Sequence, residues 1–371
     1  MKITTLLTST ALALYSFPAF AQVHSALDPV SFNPPEIVGK GPYGEEPAGP
    51  ESVELSAEEL EQVRAGQFKV GIAMMTMDID FSKVLVAGML AAFEEGGVEV
   101  IAITDASWKP EKQINDIENL IQLQPDGIIS VPADGVATAA AYEMVSEAGI
   151  KLVLADTVPV GLKWPEDYQA AVGPDQAGIG QVGIALVASR IPEGGTVGIV
   201  EFDIDLWAAN ERAREARRWL AENRPDIKIK ATGFQNPNQT AQITTDFLTA
   251  NPDVDGLWAT FDTPALGAIS GMRELGLDLP IATQDLGTII SGEIAQGGNV
   301  VGVGAQRLSD QGRADANAMM KVLLGQQAPA YIAVPALAVT KENLTEGYKT
   351  VWNADAPASV VRLCERTPGC K

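Results

Sequence analysis

Histidine and cysteine are nearly absent from this chain, whose 371 residues contain one histidine, His24, and two cysteines, Cys364 and Cys370. Zinc sites in proteins are built mainly from these two residue types, and one histidine with two cysteines cannot form a zinc site. No Cys/His dyad, no G-x-S-x-G nucleophile elbow and no P-loop occurs. His24 lies in the Pro- and Gly-rich start of the sequence, which argues against a catalytic triad. We therefore expect no bound metal and no cofactor.

Positive charge is also scarce, with 26 Lys and Arg residues against 48 Asp and Glu residues and a formal net charge of −22. Nucleic acids and anionic membrane surfaces are both bound through clustered basic residues. The composition disfavours both partners, and residues 22–67 contain no helix-turn-helix pattern. Beyond the N-terminal segment no run of 18 apolar residues occurs, so we expect no transmembrane helix.

Residues 1–21 have the pattern of an export signal. Lys2 is followed by a mostly apolar stretch and then by Ala19-Phe20-Ala21, a small-x-small cleavage site. No cysteine follows this site, so we expect no lipid anchor. The mature chain is expected to begin at Gln22 in a periplasm-like space.

The two cysteines stand six residues apart near the C-terminus. In an oxidising compartment Cys364 and Cys370 could close a small disulfide loop. The alternative is a pair of free thiols on a frayed tail.

Short apolar runs that end on an acidic residue recur along the chain. The clearest is Ile150–Ala155, which is followed by Asp156 and is typical of a strand buried on both faces. The other runs precede Asp105, Asp134, Glu201 with Asp203, Asp262 and Asp285. In open α/β sheets ligands bind outside the carboxyl ends of the strands, so we expect a ligand site at these acids. The alternative is that each acid only caps a helix or accepts bonds from loop amides.

Strand and helix patterns alternate from Phe68 to a final predicted strand at Ala333–Val339. This alternation predicts parallel sheets covered by helices, and it is too long for one sheet of the usual size. We therefore expect two successive α/β lobes. Residues 22–67 predict an extended arm that ends in a short helix, opened by the capping box of Ser56 and Glu59. Residues 351–371 predict a C-terminal tail.

The segment Gly178–Gly183 matches the dinucleotide fingerprint G-x-G-x-x-G. That motif requires its first glycine directly after a strand, whereas Gly173, Pro174 and Asp175 intervene here. Asp175 has the character of a helix N-cap. The glycines are therefore expected inside a helix, where they allow close packing.

Three aromatic residues accompany the acids at the predicted strand ends. Phe81 opens the first helix of the alternating region, Trp207 follows the strand of Glu201, and Phe261 precedes Asp262. Carboxylates beside flat aromatic faces suit a ligand with many hydroxyl groups and C–H faces. The alternative for each aromatic is a place in the core.

These features together resemble the ribose-type periplasmic sugar-binding proteins, which are solute receptors of ABC importers. The resemblance covers about residues 68–345 and rests on six segments: Val131–Asp134, Leu154–Asp156, Thr249–Val254, Asp262 with Ala265–Ala268, Asp285, and Ala305–Gln306. It implies two Rossmann-like lobes with parallel sheets, joined by a three-strand hinge (periplasmic binding protein type I). The implied lobes are residues 68–173 with 307–334, and residues 174–306 with 335–350.

The resemblance also implies a set of ligand contacts in the cleft between the lobes. The matching positions are Phe81, Asp156, Asn210, Gln235, Phe261, Asp285 and Gln306. Phe81 resembles a stacking aromatic. Asp156, Asp285 and Gln306 resemble the partners of ligand hydroxyl groups.

Several positions depart from the family pattern. Thr157 and Asn210 stand where the family often has arginine, and Gln235 replaces an aromatic. An arginine-poor, acid-rich cleft argues against an anionic ligand and favours a neutral sugar or sugar alcohol. For an acyclic polyol, or a furanosyl signal such as autoinducer-2, Asp78 and Asp134 would be additional contacts.

The resemblance implies a monomeric, non-catalytic receptor that closes around its ligand and delivers it to a membrane permease. One alternative is a secreted sugar hydrolase that uses two cleft carboxylates as acid and base. Another is a sensor that presents bound sugar to a chemoreceptor.

Overall fold

The computed structural model describes residues 29–34, 36–204 and 206–371. Its strands are β1 (Pro47–Ala48), β2 (Lys69–Met74), β3 (Glu99–Asp105), β4 (Gly127–Ser130), β5 (Lys151–Ala155), β6 (Ala170–Pro174), β7 (Thr196–Phe202), β8 (Lys228–Phe234), β9 (Gly256–Ala259), β10 (Ile281–Gln284), β11 (Val300–Ala305), β12 (Tyr331–Val334) and β13 (Leu337–Val339). Its α-helices are α1 (Ala57–Gly66), α2 (Asp80–Gly96), α3 (Pro110–Gln122), α4 (Ala139–Glu147), α5 (Gln176–Ala188), α6 (Trp207–Asn223), α7 (Thr240–Ala250), α8 (Asp262–Glu274), α9 (Thr288–Ala295), α10 (Leu308–Leu323), α11 (Leu344–Trp352) and α12 (Ala358–Cys364).

The expected signal peptide at residues 1–21 lies outside the described residues, as do the cleavage site before Gln22 and His24. Within the described ranges, no helix has both the length and the apolar character that crossing a membrane requires.

The strands form two separate sheets. The first has seven strands, all parallel, in the order β1-β12-β6-β5-β4-β2-β3. The second has six strands in the order β13-β11-β10-β9-β7-β8, and β13 alone runs antiparallel to its neighbour. Helices pack on both sheets, which gives a first and a second lobe. The expectation of two α/β lobes with parallel sheets is confirmed.

The chain passes between the lobes at three places. After β6 it enters α5, which packs against β9, β10 and β11 of the second sheet. After β11 it enters α10, which packs against α2, β5 and β6 of the first lobe. Between β12 and β13 it crosses at Pro335 and Ala336. The single strand expected at Ala333–Val339 is therefore wrong: Pro335 has no N–H for a ladder, and the segments on either side join different sheets.

The arm before α1 is attached to the body in its described part. Val38 and Gly39 donate their backbone N–H groups to the carboxylate of Asp175, at 2.7 and 2.9 Å. Strand β1 pairs with β12 and forms an edge of the first sheet. Asn33 accepts a bond from the backbone of Ala338 in β13 at 2.7 Å. The arm thus contacts both lobes, and the capping box of Ser56 and Glu59 that opens α1 after it is confirmed.

The glycines of α5 lie inside the helix, as expected. Asp175 caps it by accepting a bond from Gly178 N at 2.9 Å, so the dinucleotide fingerprint is excluded. A Cβ atom on Gly180 would collide with the carbonyl oxygen of Arg212 in α6. Glycine at this position therefore allows α5 and α6 to pack closely, and it brings Arg212 to the edge of the second sheet.

The C-terminal residues are packed against the second lobe. Helix α12 lies against α9, and both Val360 and Cys364 are buried. A disulfide joins Cys364 to Cys370, which confirms the expected bond. The segment predicted as a tail therefore includes a helix that contributes to the core.

Candidate ligand-binding cleft

The acids at the carboxyl ends of the strands divide into two groups. Asp105 accepts a bond from the backbone N–H of Ser107 at 2.7 Å, and Glu201 pairs with Arg217 at 2.8 Å. These acids have local structural partners. The second group consists of Asp156 after β5, Asp262 after β9 and Asp285 after β10, and it forms the candidate site.

Asp156 and Asp285 have the same unusual backbone conformation. Their φ angles are +61° and +65°, in the left-handed region that few residues other than glycine adopt. Asp is among the residues that tolerate it, and such strained positions cluster at functional sites. Each carboxylate therefore follows its strand at a sharp turn at the sheet edge.

Arg212 of α6 contacts one of the three acids, Asp285. Its Nε donates to Gln176 Oε1 at 2.8 Å, and its Nη1 lies 3.3 Å from both the Thr260 carbonyl oxygen and Asp285 Oδ2. The residue is 5% exposed. Burial raises the pKa values of Asp156, which belongs to the first lobe, and of Asp262, and the positive charge of Arg212 opposes part of this rise.

Sequence reasoning missed Arg212. The guanidinium of Arg212 contacts Asp285, one of the three acids, and the expectation of an arginine-poor, acid-rich cleft stays a prediction. The signal in the sequence was that Arg212 stands two residues after Asn210. Position 210 is the one at which the family that this chain resembles often has arginine. A charged residue in the middle of a polar helix gives no indication by itself of which side it will occupy.

The carboxyl group of Asp156 is held in a desolvated environment. Burial raises its pKa to about 6, although the hydrogen bond from Gln311 and the charge of Arg212 both act to lower it. Gln311 Nε2 donates to Asp156 Oδ1 at 3.0 Å. Burial also raises the pKa of Asp262, and the negative charge of Asp285 raises it further.

Asp315 lies behind Asp156 on α10, one helical turn after Gln311. It is fully buried, and neither of its carboxyl oxygens has a hydrogen-bond partner among the described residues. Burial raises its pKa well above the ordinary value of 3.8, and the charge of Asp156 adds to this effect. The uncharged acid is thus favoured at Asp315.

Gln306 lies next to Asp285. Its side-chain nitrogen donates to Asp285 Oδ1 at 2.7 Å. Both oxygens of Asp285 therefore have protein partners, Gln306 on one side and Arg212 on the other. The two residues that were expected to share a ligand are in contact, whereas their contact with a ligand stays a prediction.

The aromatic candidates occupy three different environments. Phe81 is half-buried at the start of α2, against the core of the first lobe. Phe261 packs with Phe202 and Phe234, at ring-centre distances of 5.7 and 5.8 Å. Trp207, at the start of α6 in the second lobe, packs against a core cluster of the first lobe. Trp207 thus bridges the two lobes.

The remaining candidates are exposed. Asn210 lines an open cavity of about 550 Å³ together with residues 201–204 and Gly233. Gln235 and Asp78 are exposed on their respective lobes. Asp134 is exposed too, and its Oδ1 accepts bonds from the amides of two loop residues at 2.8 and 2.7 Å, which lower its pKa. Among the described residues, no hydrogen bond joins Asp78, Asp134 or Gln235 to the three central acids.

Comparison with known proteins identifies relatives of the chain. The model of a family described as periplasmic binding protein domain matches residues 70–327. A putative rhizopine-binding protein of Rhizobium meliloti is 27% identical over 304 residues, which are 79% of this chain and 96% of that protein. The ribose import binding protein of Bacillus subtilis is 25% identical over 213 residues, 57% of this chain and 68% of that protein.

The fold has counterparts among solved structures. The crystal structure of a periplasmic ribose ABC transporter protein from Conexibacter woesei superimposes with a TM-score of 0.71 and 22% identity. The match covers 79% of this chain and 98% of that chain. At this identity the likeness concerns the fold.

Proposed function

The chain belongs to the periplasmic binding protein domain family, and from this premise we propose that it captures a sugar or polyol between its lobes and delivers it to an ABC importer. The proposal is carried by the positions of Asp156 and Asp285, which follow the carboxyl ends of β5 and β10 in the two different sheets, each at a positive φ angle. This is the edge at which α/β sheets bind ligands. As a member of this family the protein is a transport receptor and not an enzyme.

The chemistry of the cleft suits a ligand with several hydroxyl groups. Asp156 and Asp285 come from different lobes and can each accept charge-assisted bonds from ligand hydroxyls, which are stronger than neutral hydrogen bonds. A ligand that contacts both lobes binds the closed arrangement more tightly than the open one. This difference in affinity stabilises the closed arrangement. We propose that the hinge is formed by the three crossings and that closure brings Phe81 and Phe261 onto the ligand.

The test is calorimetry on Asp156→Asn and Asp285→Asn, after a thermal-shift screen of pentoses, hexoses and polyols has found the ligand. A charge-assisted bond contributes roughly 1.5–3 kcal/mol, so each change should weaken binding by about ten- to a hundred-fold. Asp105→Asn is the matched control, since this strand-end acid binds a loop amide and should leave the affinity unchanged. Wild-type affinity in both of the first two variants would remove the basis of the proposal.

Export, oligomeric state and a second partner are further parts of the proposal. We infer a monomer in the periplasm whose closed state is presented to the permease, with a chemoreceptor as the candidate second partner. Mass spectrometry of the exported protein should find Gln22 as the first residue. Retention of residues 1–21 on the exported protein would contradict the assignment of that segment as a cleaved signal.

A further inference from the structure

The first described piece of the arm, residues 29–34, is attached to the second lobe. Phe32 packs against the core cluster formed by α5, α6 and β7. Asn33 accepts a hydrogen bond from the backbone N–H of Ala338 in β13 at 2.7 Å. Ala338 comes three residues after Pro335, at which the chain crosses between the lobes. An apolar contact and a hydrogen bond thus join this piece to the second lobe.

The next piece of the arm, residues 36–48, is attached to the first lobe. Gly41 is buried, and a Cβ atom on it would lie 3.0 Å from the ring of Tyr331 in β12. Tyr43 donates its hydroxyl to the carbonyl oxygen of Val158 at 2.9 Å, and β1 pairs with β12. Because β12 ends immediately before the third crossing, these contacts lie on the first-lobe side of the hinge.

Between these attachments the arm binds the hinge itself at Asp175. Val38 and Gly39 donate their backbone N–H groups to the two carboxylate oxygens of this buried residue, at 2.7 and 2.9 Å. Asp175 follows β6 at the first crossing, and its own N–H donates to the carbonyl oxygen of Val334 at the third crossing, at 2.8 Å. A Cβ atom on residue 39 would lie 2.8 Å from Asp175 Oδ1, so glycine permits this approach. Hydrogen bonds therefore join the arm to two of the three crossings.

The arm has little slack where it passes the hinge. Gly39 is bound at the cap of α5, Gly41 is buried against β12, and only Lys40 stands between them. One residue spans at most about 3.6 Å. Phe32 lies beside Ser189 at the far end of α5, a helix of 13 residues that is about 20 Å long, so the arm is also fixed far from the crossings. Rotation of the lobes about the crossings must therefore strain this passage or break one of its attachments.

We propose that residues 29–34 and 36–48 form a hinge strap, which holds the cleft closed by opposing rotation of the lobes. This inference rests on the hinge of the proposed function and not on the identity of the ligand. Both pieces precede residues 70–327, the range that the family model matches. The lobes touch in this structure, since Trp207 of the second lobe packs against a core cluster of the first. The strap makes its attachments in this closed arrangement, so it stabilises that arrangement over rotated ones.

The hinge strap changes the free energy that the ligand must supply for closure. A receptor whose closed state is already populated loses less of its intrinsic affinity to the conformational change than a receptor that is mostly open. The strap thus raises affinity from the hinge, without contact with the ligand. A narrow range of lobe positions in the free protein is the direct sign of this effect.

The experiment measures the width of the cleft in the whole protein without ligand. Val136→Cys and Ile289→Cys place nitroxide labels on exposed residues that follow the carboxyl ends of β4 and β10, on opposite lobes. The native cysteines are joined in a disulfide and do not take the label. Pulsed electron paramagnetic resonance then gives the distribution of distances between the two labels. With the native strap we expect one main distance.

Two variants release the hinge strap at different places. Gly39→Val brings a side chain against Asp175 and Ala177 and should displace the strap from the hinge. Phe32→Ala combined with Asn33→Ala removes the attachment to the second lobe. Each variant should raise the ratio of molecules at a longer label distance to those at the original distance by at least about fivefold, which is the effect of losing one ordinary hydrogen bond.

Two controls change the protein without releasing the strap from the hinge or from the second lobe. Tyr43→Phe removes a hydrogen bond between the strap and the first lobe. Ser56→Ala removes the cap of α1 and lowers the free energy of unfolding without contact with the hinge. Both should leave the distance distribution unchanged, which separates release of the strap from a general loss of stability.

An unchanged distance distribution in both release variants would overturn the inference, and so would an equal change in the controls. Ligand binding is measured separately, by the thermal-shift screen. If the distances change as expected and no sugar or polyol binds, the inference stands and the proposed function fails. If a sugar or polyol binds and the distances do not change, the proposed function stands and the inference fails.

Discussion

Asp156→Asn should stabilise the ligand-free protein at neutral pH. The folded protein holds the Asp156 carboxyl group in a desolvated position, which raises its pKa from 3.8 to about 6. A shift of this size corresponds to about 3 kcal/mol of unfavourable free energy for the ionised form in the folded state. Asparagine tolerates the positive φ angle of this position and can still accept the bond from Gln311.

The sign of the pH dependence follows from proton binding. Between about pH 4 and pH 6 the folded protein binds a proton at Asp156 that the unfolded chain has lost, so wild-type stability decreases as pH rises through this range. Asparagine does not titrate. The variant should therefore resemble the wild type near pH 3.5 and exceed it by up to about 3 kcal/mol at pH 8.

The assay is urea unfolding of both proteins at several pH values between these limits. Asp134→Asn is a control of opposite sign, because two loop amides lower the pKa of Asp134. It should lose a small amount of stability at pH 8, and this loss should fade below the ordinary pKa and disappear as the pH falls through the lowered pKa of the carboxyl group. A difference between Asp156→Asn and wild type that is the same at every pH would refute the reasoning, since a desolvated charge must contribute only when it is ionised.

Three further predictions concern stability and the C-terminal bond. Arg212→Met should lower the free energy of unfolding by up to about 3 kcal/mol, because it leaves the partly buried Asp285 without its counter-charge. Arg212→Lys should lose less stability. Equal stability of the Met variant and the wild type in urea unfolding would contradict this role. Asp175→Ala removes the acceptor of three backbone amides and should lower the free energy of unfolding by about 2–4 kcal/mol. Thermal unfolding measures this, with Asp175→Asn as the control, and a wild-type melting temperature in the Ala variant would contradict the prediction. Reduction of the Cys364–Cys370 disulfide should lower the free energy of unfolding by at most about 2–3 kcal/mol, since the loop is short. Ligand affinity measured by calorimetry should stay unchanged. A large loss of affinity would mean that the C-terminal segment contributes to the site.

Local sequence patterns were sufficient for the elements whose formation depends on nearby residues. The run Ile150–Ala155 before Asp156 predicts a buried strand because all of its residues are apolar except Lys151, which lies near its start. The capping box at Ser56 and the cap at Asp175 are recognised because their hydrogen bonds span only three residues. These signals act over one turn of chain, and the structure contains all of them.

Features that depend on distant contacts were not predictable in this way. Strand β1 is two residues long and contains Pro47, so it has no periodicity, and it exists because β12 supplies its partner. The crossing at Pro335 has no local signal, because the apolar stretch around it reads as one strand, and it was expected only from the family resemblance, which implied a lobe boundary between residues 334 and 335. Arg212 reaches the acids because Gly180 lets two helices approach, a contact between residues far apart in sequence.

The position of β1 also has a consequence for self-association. Strand β12 is buried along its whole length, and an apolar strand at the open edge of a sheet is a template on which a second chain can add. The two residues of β1 cover that edge, and Pro47 lacks the N–H that would continue the ladder outward. The first sheet therefore has only β3 as an edge available for strand addition within the described residues, and β3 carries the charged Glu99 and Asp105 at its two ends.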